Sequence, residues 1–122
     1  MWQVDIHSVI AIFLLRNWAV EALNEAVTTE VAALPKDMRA KLEHISRMIA
    51  AFGLEKMREP CVKHVEGALW EMRLTGRDEI ARAIYVTATG KRVVIVRAFR
   101  KKTQKTPRSK IELALKRAEE VR

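Results

Sequence analysis

The chain has 122 residues, of which 49% are hydrophobic and 31% charged, with a formal net charge of +8. That length fits one compact domain with a single real hydrophobic core, and the composition excludes an intrinsically disordered chain. The one cysteine, Cys61, excludes an internal disulfide framework, and no Cys/His group has zinc-ligand spacing.

A reducing, cytoplasmic setting without metal or cofactor is the simplest expectation. The longest apolar run, residues 9–15, falls far short of the roughly 20 residues a spanning helix needs. Asp5 before it and Arg16 after it are the wrong flanks for a secretory signal. Residues 91–122 hold 12 Lys and Arg against 3 Glu, a net of +9, so the rest of the chain is close to neutral. Charge concentrated this way points to a polyanion, nucleic acid before membrane, against the plainer reading of a solvated basic helix.

In chain order, residues 18–23 read as an edge strand just ahead of a well-marked helix. Residues 1–17 then form an N-terminal extension of unknown role, and 18–122 form the domain. Asn24 is placed to cap a helix carrying Val27, Val31 and Leu34, and Pro35 stops it. A second helix is predicted over 37–52, its stripe Met38, Leu42, Ile45, Ile49 and Phe52 stepping by 4, 3, 4, 3, with Gly53 as the left-handed residue at its end.

Residues 69–74, 80–87 and 92–99 are β-branched and aromatic, separated by turn-prone Thr75-Gly76-Arg77-Asp78 and Ala88-Thr89-Gly90-Lys91. They predict a three-stranded antiparallel meander. In its last strand Val94, Val96 and Ala98 alternate with Val93, Ile95, Arg97 and Phe99, so a central, doubly covered strand is expected. Thr106 as N-cap with Pro107 at the first helical position opens a closing helix, whose apolar face carries Ile111, Ala114, Leu115 and Ala118. The fold class is therefore α+β: a helical hairpin, a small antiparallel sheet with an N-terminal edge strand, and a C-terminal helix.

Two segments carry a family resemblance. Lys63-His64-Val65-Glu66-Gly67-Ala68-Leu69-Trp70-Glu71-Met72-Arg73 resembles the KHL…G-LWELR segment of HigB-like toxins, a branch often labelled phage-derived. Phe99-Arg100-Lys101-Lys102-Thr103-Gln104-Lys105-Thr106-Pro107, with Ile111-Glu112 after it, is similar to that branch's F-x-KKTQKTP…IE signature. The resemblance spans residues 18–121 and leaves out 1–16.

It implies a RelE-like fold of the RelE/ParE superfamily, with a basic concave face opposite the helical hairpin. It also implies a toxin that cleaves mRNA on the ribosome and is neutralised by a HigA-like helix-turn-helix antitoxin. The superfamily includes gyrase poisons as well, so a toxin acting on a protein target stays open, as does a plain RNA-binding domain.

Metal-free RNA cleavage needs a base for the 2′-hydroxyl and cations for the phosphorane charge. Arg73 and Arg82 are the expected phosphate-gripping pair, where superfamily relatives also place basic residues. Lys101 and Lys102 are the catalytic lysines, one of them or Lys105 serving as base if neighbouring cations lower its pKa. Lys63, Arg97, Arg100, Gln104, Lys105 and Thr106 are the expected RNA contacts. The plainer readings are a surface ion pair from Arg73 to Glu71 or Glu66, and a solvated loop for 101–105. Trp70 reads as core, with base stacking as the alternative; His64 reads as a turn or structural histidine, and His44 as inert. Many superfamily relatives carry a Tyr, His or Asp near the carboxyl end for acid–base work, and this chain has none of these after Tyr85.

Overall fold

The computed structural model describes residues 18–58, 61–101 and 105–122, so the extension expected over 1–17 lies outside the described residues. The elements run β1 (Ala19–Ala22), α1 (Glu25–Ala32), α2 (Lys36–Phe52), a 3-10 turn (Leu54–Lys56), β2 (Val62–Glu66), β3 (Leu69–Thr75), β4 (Ile80–Ala88), β5 (Arg92–Lys101) and α3 (Arg108–Ala118).

The α1 start is set by Asn24, whose Oδ1 accepts the Val27 backbone N–H at 3.0 Å, as the sequence predicts. In α2 the stripe buries Met38, Leu42, Ile45 and Ile49, each contributing about 1.5–3 kcal/mol of transfer free energy. Phe52 does not join it and is 61% exposed. Gly53 takes φ +92° and ψ 152°, a positive-φ extended conformation rather than left-handed helical, and turns the chain away one residue later. Leu54 from the 3-10 turn packs against the core instead. At the other end of α2, Asp37 Oδ2 accepts the Arg77 N–H at 2.8 Å, tying the helix to the β3–β4 turn. A Cβ on Gly76 would lie 2.8 Å from that oxygen, so a larger residue there would have to push the Asp37 and Met38 side chains aside.

The meander β3-β4-β5 forms with the two predicted turns, but the sheet has five strands in the order β1-β5-β4-β3-β2. Two features differ from expectation. Residues 62–66 form a further strand, antiparallel to β3; their Lys63, His64 and Glu66 hid it, and such charges are common on an edge strand. β1 is indeed an edge strand, yet it runs parallel to β5, with Ala19 opposite Arg92 and Ala22 opposite Ile95. The sheet is therefore mixed, because the helical hairpin and β2–β4 intervene between the two partners, as a parallel pairing requires.

A bulge in β5 overturns the simple alternation expected there. Ile84 opposes Arg97 while Tyr85 opposes Ile95, leaving Val96 as the extra residue. Val93, Ile95 and Ala98 consequently face the core under α1 and α2, whereas Val94, Val96 and Phe99 face the core under α3. Both faces of β5 are covered, as a central strand requires.

The open edge of β5 beyond β1 is closed by Glu30 of α1. Its carboxylate accepts the Ala98 N–H at 3.0 Å and pairs with Arg97 and, at 2.8 Å, with Arg117 of α3.

Candidate functional site

Strand alternation and register assemble the basic face. On the α3 side of the sheet Lys63 stands opposite Glu71, and Arg73 stands opposite Arg82. Lys101 opposes Ile80, two residues along from Arg82, and so lies on the same face. The chain then turns through Lys105 and Thr106 into α3. A hollow of about 210 Å³ opens here, lined by Lys63, Glu71, Arg73, Lys105, Thr106 and Ile111 among others.

Its floor is a buried polar network. Glu71 (4% exposed), Arg82 (2%), Lys101 (5%) and Thr106 are all buried. Arg82 Nε donates to Glu71 Oε1 at 3.2 Å, and its Nη1 donates to the Ala81 carbonyl at 3.1 Å. The Thr106 hydroxyl donates to Glu71 Oε2 at 3.0 Å and accepts from Lys101 Nζ at 3.3 Å. Thr106 is therefore not the helix cap that the sequence suggests. Pro107 holds the cap position of α3, which begins at Arg108, because the threonine hydroxyl is engaged in this network.

Burial, with Arg82 and Arg73 nearby, lowers the Lys101 pKa from its usual value, and Glu71 opposes the shift. Burial also lowers that of Arg82, against the favourable pull of Glu71. Arg73, half-buried at the rim, keeps a buried Nε with no hydrogen-bond partner among the described residues. An unsatisfied buried donor costs roughly 1–3 kcal/mol, and a bound anion would remove that cost.

The structure thus brings together Lys63, Arg73, Arg82, Lys101, Lys105 and Thr106. It sends Arg97 to Glu30, which Arg117 shares, and places Arg100 on the opposite face in an ion pair with Glu79. Lys102 and Gln104 lie outside the described residues. Glu71 entered the sequence reading only as a surface partner for Arg73. Its alternation with Arg73 along one strand was the signal that placed both on one face.

His64 is a structural histidine of β2 whose side chain ties down the following turn: Nε2 bonds the Gly67 carbonyl at 2.7 Å, and its ring meets Trp70 edge-on at 5.2 Å. Trp70, expected in the core, is 40% exposed. It lines a separate hollow of about 480 Å³ with Trp18, Leu54, Met57, Val62 and Tyr85, on the other side of the sheet from the basic cluster. His64 also lines the basic hollow, whereas Trp70 does not. Among the described residues no three His, Cys, Asp or Glu side chains gather to hold a metal ion, and no helix is long and apolar enough to cross a membrane.

Residues 29–119 match the family model described as "Phage derived protein Gp49-like". The chain belongs to the phage-derived Gp49-like family. Every site residue of this Gp49-like chain falls inside the matched segment, while β1 falls outside it.

Among solved structures, an archaeal RelE–RelB complex from Pyrococcus horikoshii is similar at a TM-score of 0.50 and 21% identity. The match covers 69% of this chain and 94% of that one. The Gp49-like chain therefore has a RelE-like fold, as the two sequence segments imply. No curated protein sequence matches it.

Proposed function

We propose that this protein is the toxin of a type II toxin–antitoxin pair, of the HigB-like branch, and a metal-independent endoribonuclease that cuts mRNA on the ribosome. The observation that carries the reading is the Arg73 guanidinium, with its buried unpartnered Nε, at the rim of a basic hollow built over a satisfied polar floor. A scissile phosphate seated there meets Arg73, Lys63 and Lys105, which neutralise the charge that grows on its equatorial oxygens. Arg82 acts from beneath as a fixed positive charge.

Lys101 has a lowered pKa because it is buried among cations, and neutral Lys101 takes the proton from the 2′-hydroxyl. The 2′-oxygen attacks phosphorus, the 5′-oxygen leaves and takes a proton from water while Lys101 returns its own to solvent, and a 2′,3′-cyclic phosphate remains. No cofactor enters these steps. The partner in this reading is a HigA-like helix-turn-helix antitoxin, the setting is the cytoplasm, and the ribosome supplies the mRNA. The structural neighbour, itself a complex with RelB, supports an antitoxin partner.

The test is induced expression in bacteria with primer extension on a translated message, wild type beside Arg73→Ala. Growth arrest with new cuts inside reading frames is expected, with cleavage falling about 100-fold or more in the variant. Arrest without cuts would move the assignment to a protein target such as gyrase. No arrest would leave an RNA-binding domain.

A further inference from the structure

Glu71 is the one carboxylate among the described residues of the basic network, and its two oxygens do different things. Oε1 fixes the Arg82 guanidinium, and Oε2 accepts from the Thr106 hydroxyl, which in turn accepts from Lys101 Nζ. An unbroken chain of contacts therefore runs Lys101–Thr106–Glu71–Arg82 across three strands and the segment that leads into α3.

The carboxylate borders the hollow from beneath and would repel an RNA phosphate seated there. Its position under the site is unfavourable for binding and needs another reason. We propose that Glu71 is the positioning residue of this site, holding the Lys101 amine in place through Thr106 while it anchors Arg82 from its other oxygen. The proposal rests on the nuclease reading for its kinetic consequence and on geometry alone for its structural one.

The charged groups facing Lys101 among the described residues are Lys63 on β2, Glu71 and Arg73 on β3, and Arg82 on β4. Glu71 is the only one that favours the ammonium form. Removing its charge must therefore lower the Lys101 pKa further, and a merely structural Glu71–Arg82 pair would do so too, by charge alone; cutting the link at Thr106 while keeping the charge separates the two.

Two variants test this. E71Q keeps the shape and removes the charge; T106V cuts the relay and keeps the charge. The readouts are the titration of the Lys101 ε-carbon by NMR, assigned with K101R, and single-turnover cleavage of a ribosome-bound message against pH.

In folded E71Q the Lys101 midpoint is expected to fall by about one pH unit, the usual effect of losing a close opposite charge. The acidic limb of the rate profile, where Lys101 takes up its proton, should move to lower pH with it, and kcat on the plateau should drop about 100-fold, as for a misplaced catalytic group, with KM little changed. T106V is expected to lower kcat with a smaller movement of the midpoint. E71Q with an unmoved midpoint and wild-type kcat overturns the proposal. If E71Q does not fold, T106V with wild-type kcat overturns it instead. A wild-type protein that cuts no message refutes the nuclease reading, and the Lys101 midpoint of T106V, moved or unmoved, then still decides whether the Thr106 link to Glu71 holds the amine.

Discussion

The charge imbalance of the buried network sets an unequal response to losing either partner of the Glu71–Arg82 pair. Replacing Arg82 with Met removes one hydrogen bond to the carboxylate and one to the Ala81 carbonyl, but fills most of the volume. The carboxylate keeps the Thr106 hydroxyl and still faces Lys63, Arg73 and Lys101. The expected cost of R82M is about 1–2 kcal/mol, that of a hydrogen bond to a charged group less the relief of burying a guanidinium beside other cations.

E71L removes the counter-charge and leaves several cations around one apolar side chain. Its expected cost is about 3–5 kcal/mol, a large part of the 5–15 kcal/mol typical of a whole domain. In the double variant the two costs should add to less than their sum by about 1–3 kcal/mol. Urea unfolding followed by far-UV circular dichroism at neutral pH measures all three. At a typical m of about 2 kcal/mol/M, E71L should lower the midpoint by about 2 M and R82M by less than half of that. Equal losses from R82M and E71L, or strict additivity, would refute the one-carboxylate picture. The same arithmetic makes Arg73, at the rim, a cleaner position than Arg82 for testing activity, because Arg82→Ala changes stability and chemistry together.

The other expectations concern separate parts of the fold. Glu30→Ala leaves Arg97, Arg117 and the Ala98 N–H without their shared acceptor, and should cost about 3–5 kcal/mol by denaturant unfolding. A loss under about 1 kcal/mol would mean that the tie between α1, β5 and α3 is decorative. Burial pushes the Tyr85 phenol up to about 12, above its ordinary value of 10.0. The unfolded chain therefore loses this proton first as pH rises. Stability is full below about pH 10 and declines by about 1.4 kcal/mol per pH unit up to the folded value. Tyr85→Phe should flatten that part of the alkaline decline when unfolding midpoints at pH 8 and 11 are compared. Binding of a catalytically dead variant to single-stranded RNA should weaken with salt, the slope falling by about 0.7 on removing Lys63 if that lysine meets a phosphate.

Much of this protein is decided by local chemistry and is legible in the chain. Asn24 caps α1 because its side chain reaches an N–H three residues away. The stripe of α2 holds from Met38 to Ile49, and the two turns of the meander fall where Gly76 and Gly90 stand. The family segments, too, are contiguous stretches, and Lys63, Arg73, Lys101 and Lys105 all stand within them.

Tertiary packing decided the rest, because it concerns which distant groups compete for the same partner. Thr106 satisfies the local rule for a helix cap, yet its hydroxyl goes to a carboxylate 35 residues away. Val96 breaks the alternation of β5 through a bulge that depends on its neighbour β4. Trp70 stays half open because the end of the sheet where it stands is not fully covered, and hydrophobicity alone cannot report coverage. Glu71 looked like a surface acid beside Arg73; register and burial made it the counter-ion at the centre of a cationic site.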